Sequence, residues 1–177
     1  MAIWLIRHGT TEANERHLYC GSTDLPLSPA GLAALEPVSC PATGYVISGM
    51  LRTRQTLRAL FGDVCYTVEP GLREIDFGKF EMHSYEELRD DPDYIQWISG
   101  NNESNVPPGG ESGIQMTQRV MEAYGRVPDG SAVITHGGVI AAIMATLFPE
   151  EGKNRYQWQP RPGHGYVIRD GGYEIFP

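Results

Sequence analysis

Three places in the chain put chemically capable side chains at the end of a short apolar run. Arg7-His8-Gly9 follows Ala2 to Ile6, Arg52 comes shortly after Gly44 to Ser48, and His136-Gly137-Gly138 follows Ser131 to Thr135. If these runs are buried parallel strands, their carboxyl ends share one rim, where ligands gather in parallel-sheet folds. Two imidazoles and two guanidiniums would then converge. That set suits phosphoryl transfer. Arginine forks disperse charge on nonbridging oxygens, amides at the start of a helix after His136 add donors and a favourable dipole, and a neutral ring nitrogen of His8 can attack phosphorus.

The elements needed to position these groups can be read from the same sequence. Ser28 followed by Pro29 predicts a helix start, with Leu32 and Leu35 as its apolar face and Pro37 beyond its end. A longer helix is expected over Leu51 to Phe61, where Leu57, Leu60 and Phe61 recur at helical spacing and Gly62 closes the turn. Val64 to Val68 reads as a third strand. Ser112 can cap a helix through Tyr124, an apolar helix follows over Gly138 to Leu147, and a hairpin around Gly171-Gly172 ends the chain. Between the third strand and the Ser112 helix the pattern turns acidic and aromatic. The reading is one domain over residues 1–177 with a small helical cap inserted at about 80–111. Strand and helix alternation predicts an α/β, three-layer sandwich with a largely parallel central sheet flanked by helices.

LIRHGTTEAN at 5–14 resembles the opening signature of the histidine phosphatase superfamily, which includes the phosphoglycerate mutase-like proteins. STDLPLSPAG at 22–31, SGMLRTRQT at 48–56, LREIDFGKFE at 72–81, PPGGES at 107–112 and THGGVI at 135–140 resemble further family blocks, in family order. The resemblance covers most of the chain and implies the phosphoglycerate mutase-like fold. Carried over by position, it implies His8 as the nucleophile that becomes a phosphohistidine. It also implies that Arg7, Arg52 and His136 hold phosphate and that Glu74 gives a proton to the leaving oxygen. Asn14, Thr11, Gly21, Ser22 and Gly137 are the expected substrate-binding positions. SGMLR departs from the serine-aspartate-leucine that often precedes the family's arginine pair. LYCGSTDLPLS and LREIDFGKFEMHSYEEL are most similar to the α-ribazole phosphatases of cobalamin synthesis.

Composition narrows the alternatives. With 22 acidic against 14 basic residues and a net charge of -8, the chain has no Lys/Arg-rich patch to follow a nucleic-acid backbone. No apolar run approaches the roughly 20 residues of a membrane span. The apolar part of MAIWLIRHG is shorter than a signal-peptide core and no charged segment precedes it, so a cytoplasmic location is expected. Three cysteines without a CxxC pair favour neither a disulfide framework nor a structural zinc site. HExxH and the GxxxxGK[ST] phosphate loop are absent, and Pro26, Val46 and Gly71 stand six residues after the cysteines, where a cysteine phosphatase would need arginine. No metal or other cofactor is expected. His17, His83 and His164 are expected to be solvated or structurally satisfied, with His17 near the pocket mouth.

A phosphoglycerate mutase must hold a carboxylate beside the phosphate and protect its phosphohistidine from water, which calls for added cations. From Glu81 to Gln118 the only arginine or lysine is Arg89, against eight acidic residues. Leu18 and Ile75 stand where the resemblance implies arginines in mutases. Hydrolysis of a small-molecule phosphate ester, with α-ribazole 5'-phosphate the named candidate, is therefore preferred. The alternatives are mutase activity, broad sugar-phosphate hydrolysis, and an inactive phospho-ligand binding module. Tyr85, Tyr94 and Trp97 are candidates for stacking on a base, against a competing role in packing a small core. A monomer or homodimer is expected.

Overall fold

A computed structural model describes residues 2–101 and 103–177. Six strands form one sheet: β1 (Ala2–Arg7), β2 (Gly44–Ile47), β3 (Thr67–Val68), β4 (Ser131–Thr135), β5 (Gly165–Arg169) and β6 (Gly172–Phe176). Their spatial order is β3-β2-β4-β1-β5-β6. The first four in that order run parallel, and β5 and β6 extend the sheet antiparallel beyond β1. The helices are α1 (Glu12–Glu15), α2 (Pro29–Ala33), α3 (Leu51–Phe61), α4 (Tyr85–Leu88), α5 (Pro92–Ile98), α6 (Gly113–Tyr124) and α7 (Gly137–Leu147).

Alternation along the central strands explains the layering. Ile3 and Leu5 of β1 and Val133 of β4 face a core with Met116 and Val120 of α6 and Val139, Ile140 and Ile143 of α7. Trp4 and Ile6, with Ala132 and Ile134, face the opposite side, where Leu57 and Leu60 of α3 cover them. Because successive strand side chains point to opposite faces, β1 and β4 must be apolar at nearly every position to be covered on both. This is the expected α/β three-layer sandwich with a largely parallel central sheet flanked by helices. A smaller cluster of Phe80, Leu88 and Tyr94, joined by Tyr19, Phe77 and Trp97, holds α4 and α5.

Local chemistry sets the element ends. The Ser28 side chain accepts from the Gly31 amide and Pro29 fills the first helical position of α2. Gly62 ends α3 with φ 77°, and Ser112 forms a reciprocal cap with Gln115 at α6. Two boundaries differ from expectation. β3 is confined to Thr67 and Val68, both exposed, which pair with Val46 and Ile47 of β2, while Val64 packs partly buried against the core outside that ladder. The turn of the last hairpin is centred on Asp170 and Gly171, which take φ 52° and 76°, rather than on Gly171-Gly172. Two consecutive positive φ values match the twist of a two-residue hairpin loop.

Candidate active site

Strand register brings the reactive groups together. Arg7 of β1 pairs with Thr135 of β4, and Ile47 of β2 pairs with Ile134 of β4. The residues after β1 and β4 are His8 and His136, which must leave the sheet side by side. Neighbouring strands lie about 4.8 Å apart, and the two imidazole centroids are 5.1 Å apart at an interplanar angle of 64°. Ser48, the residue after β2, completes the row at the rim.

Hydrogen bonds assign a tautomer to each ring. His8 Nδ1 lies 2.6 Å from the Gly9 carbonyl oxygen, which can only accept, so Nδ1 carries the hydrogen and Nε2 keeps its lone pair. The Gly9 amide donates to Thr56 Oγ1 at 2.9 Å, fixing the loop beneath the ring. On His136 the order is reversed. Arg52 Nε donates to Nδ1 at 3.3 Å, leaving Nε2 to donate to Ser48 Oγ at 2.9 Å. The Ser48 hydroxyl then donates to Thr53 Oγ1, and Thr53 donates to the Met50 carbonyl. This relay is buried throughout.

Burial, together with the charges of Arg52 and Arg7, lowers the His8 pKa to about 3 from an ordinary value of 6.5, although the Gly9 hydrogen bond opposes the shift. Burial, then Arg52, His8 and Arg7, likewise hold His136 well below its ordinary value. Both rings are therefore neutral at physiological pH, as a nitrogen nucleophile must be.

The arginines have different surroundings. Arg52, at the second position of α3, is buried, and it donates from Nη1 to the Thr23 carbonyl at 2.9 Å and from Nη2 to the Gly21 carbonyl at 2.8 Å. The departure at SGMLR does not displace it. The Asp24 carboxylate accepts from the Leu51 amide at 2.8 Å and supplies the helix-start anion that Met50 cannot. Arg7 donates from Nη1 to the Pro160 carbonyl at 2.9 Å, but its buried Nε has no partner among the described residues. A buried guanidinium N–H left unpaired is costly, so this group is chemically suited to donate to a ligand oxygen.

Glu74 lies at the start of α7, where its carboxylate accepts from the Ile75 and Gly138 amides at 3.0 Å each. The helix can approach this closely only without side chains. A Cβ on Gly138 would fall 2.4 Å from Glu74 Oε1, and one on Gly137 would fall 3.1 Å from Arg7 Nε. Arg7, Asn14, Glu74 and Gly138 line one cavity of about 270 Å³ with Leu18, Tyr19, Phe77, Trp97, Arg155 and Tyr156.

The other expected substrate-binding positions divide. Asn14 lines the cavity while its Oδ1 accepts from the Thr11 amide and hydroxyl, closing a reciprocal cap on α1. Thr11 is buried beneath, with its hydroxyl in that cap. The Gly21 and Ser22 amides donate to the Glu81 carboxylate, which also accepts from the Phe77 amide and the Thr23 hydroxyl. Among the candidate stacking rings, Trp97 reaches the cavity, Tyr94 is buried against Phe80 and Leu88, and Tyr85 is exposed away from it. His17 is exposed and outside the cavity, whereas His83 and His164 bond the Glu81 and Pro177 carbonyls.

Sequence reasoning missed the Ser48–Thr53 relay, the Glu81 clamp, and the contribution of Glu103, Arg155 and Tyr156 to the cavity. The strand-end position of Ser48 was visible in advance. Nothing in the spacing of Arg155 points to a cavity shared with Arg7 and Asn14, more than a hundred positions away in the sequence.

The chain is similar to known proteins in sequence and in fold. A family model described as the histidine phosphatase superfamily (branch 1) matches residues 3–172. The adenosylcobalamin/alpha-ribazole phosphatase of Salmonella typhimurium is 30% identical over 161 residues, covering 83% of this chain and 79% of that protein. A probable phosphoglycerate mutase of Yersinia enterocolitica is 28% identical over 203 residues, covering 97% and 93%. The crystal structure of a putative alpha-ribazole-5'-P phosphatase from Escherichia coli superposes with a TM-score of 0.81 at 26% identity, covering 99% of this chain and 94% of that one.

Proposed function

Because the chain belongs to the histidine phosphatase superfamily (branch 1) and is a phosphoric monoester hydrolase of that family, we propose that His8 attacks a small-molecule phosphate ester whose leaving group is nucleoside-like, with α-ribazole 5'-phosphate the leading candidate. The observation that carries this reading is the neutral His8 ring, with Nδ1 tied to Gly9 and the Nε2 lone pair free beside His136 and Arg52.

In the first step the Nε2 lone pair forms a bond to phosphorus as the ester P–O bond breaks. Glu74 gives its proton to the departing oxygen. Arg7 Nε and the remaining N–H groups of Arg52 take up charge on the nonbridging oxygens. His136 reaches the phosphate by giving up its bond to Ser48, and the α7 amides add their dipole. In the second step Glu74 takes a proton from water, the water oxygen bonds to phosphorus, and the P–N bond breaks to return neutral His8 and release phosphate. Atoms and charge balance over the two steps with water as the only reactant besides the ester.

Hydrolysis is favoured over mutase chemistry by the cavity wall. Leu18 and Ile75, at the positions where the resemblance implies mutase arginines, both line it. Tyr19, Phe77, Trp97 and Tyr156 give that wall aromatic surface suited to a planar base. Residues 80–111, whose α5 brings Trp97 to the cavity, serve as the cap in this reading.

The test is turnover of α-ribazole 5'-phosphate beside 3-phosphoglycerate and simple sugar phosphates, with acid-quench mass spectrometry for an acid-labile phosphoryl adduct on His8. Preference for the first ester, with the adduct, is expected. Equal turnover of all three would reject the nucleoside-like substrate, and activity without an adduct would reject the mechanism.

A further inference from the structure

The cavity has two guanidiniums at separate places on its wall. Arg7 stands with Glu74 at the phosphate end, and Arg155 stands with Glu103 elsewhere on the lining. Arg155 Nη2 and Glu103 Oε2 are 2.7 Å apart, with side chains 23% and 43% exposed. The two come from distant segments, one before α6 and the other after α7, so they meet on the cavity wall only in the folded chain.

Both partners are held in place. The Glu103 carbonyl accepts from the Ile114 amide in the first turn of α6, and the Glu103 amide donates to Asn101 Oδ1. Arg155 sits in a turn whose Tyr156 and Gln157 amides both donate to Asn154 Oδ1. Gly113 passes so close that a Cβ there would fall 2.2 Å from Glu103 Oε2 and 3.1 Å from Arg155 Nη2. The backbone of α6 therefore presses on the pair, and the absence of a side chain at Gly113 lets it close.

We propose that the Arg155–Glu103 ion pair determines specificity by withholding Arg155 from a second anionic group on the ester, so that uncharged leaving groups are accepted and carboxylate-bearing ones are rejected. The proposal rests on the phosphatase reading above. A free guanidinium on this wall would bind a substrate carboxylate through charge-assisted hydrogen bonds. With Glu103 in place, such a carboxylate must displace one anion and sit beside its charge, whereas a sugar hydroxyl or base edge can hydrogen-bond to either partner without breaking the pair.

Glycerol 3-phosphate and 3-phosphoglycerate differ only in a hydroxymethyl group against a carboxylate, and their kcat/KM ratio reads the effect directly. The intact protein should favour glycerol 3-phosphate. Glu103→Gln, which keeps shape and removes charge, should move the ratio toward 3-phosphoglycerate by about tenfold, the scale of one charge-assisted hydrogen bond made available. Adding Arg155→Gln should return the ratio to its starting value. An unchanged ratio in Glu103→Gln, or a gain that survives Arg155→Gln, overturns the proposal. Lack of turnover of any ester defeats the phosphatase reading instead. In that event calorimetric binding of the same two esters to the same variants decides the specificity question, and equal affinity changes for both overturn it.

Discussion

The burial of His8 makes the stability of the fold depend on acid in a way that can be isolated. The folded pKa is about 3 and the ordinary value is 6.5, so between these limits the unfolded chain binds a proton that the folded chain refuses. Stability contributed by the neutral ring is complete above the unfolded value. It falls as pH decreases through the window and levels off near the folded value. Going from pH 7 to pH 5 should cost about 2 kcal/mol from this one ring, which for a chain of this length is roughly a 4–8 °C fall in Tm. His136, also held low, adds loss of the same sign. The measurement is urea unfolding at both pH values for the intact protein and for His8→Asn, whose amide can still donate toward the Gly9 carbonyl. Carboxylates titrate in both proteins and cancel in the comparison. The variant should lose about 2 kcal/mol less than the parent. Parallel losses would mean that the ring is not held neutral by its surroundings, and the account of the nucleophile would fail with it.

Further expectations concern activity. His8→Ala should abolish the acid-labile adduct and lower kcat by at least about 10³-fold, measured by phosphate release; near-normal turnover would exclude His8 as nucleophile. Arg52→Ala should cost about 10²–10³ in kcat, the scale of deleting one charge-stabilising donor, and a change in KM alone would show that it grips only the ground state. Glu74→Gln should lower kcat/KM, which reports the first step, by roughly 10²–10⁴-fold for alkyl phosphates but far less for p-nitrophenyl phosphate, since that leaving group departs without a proton; an equal fall in kcat/KM for both would remove Glu74 as the acid. Ser48→Ala strands the buried His136 Nε2–H and should destabilise the fold by about 1–3 kcal/mol in chemical denaturation, while Ser48→Thr, which restores a hydroxyl, should recover part of the loss.

Legibility from the sequence tracked the range of the interaction. The strands β1, β2 and β4 and the helices α3, α6 and α7 were readable because each has a periodic apolar face and a local start signal, such as Ser112 with Gln115 at α6. β3 was overextended because an exposed edge needs no burial pattern. A helical cap is expected at about 80–111, but the acidic stretch gives no periodic apolar face from which to bound α4 and α5 individually, although Ser84 with Glu87 and Asp91 with Pro92 supply caps. At the site, strand-end residues were foreseen because register alone brings them together. Glu81 was not, since binding amides from both Gly21 and Phe77 depends on two loops meeting in space. The same holds for Arg155. Tyr94 and Trp97 are three positions apart on one short helix, and only the packed structure separates the buried ring from the pocket ring.

The pairing of Arg7 with Thr135 has a consequence for how the chain can fail. A slip of one position between these two strands would move their ends apart by about 3.3 Å and turn every side chain of one strand to the opposite face. A molecule trapped in that arrangement could keep much of its helix content and still leave its two imidazoles unable to grasp one phosphorus. Specific activity therefore counts correctly threaded molecules, which circular dichroism would not distinguish from misthreaded ones.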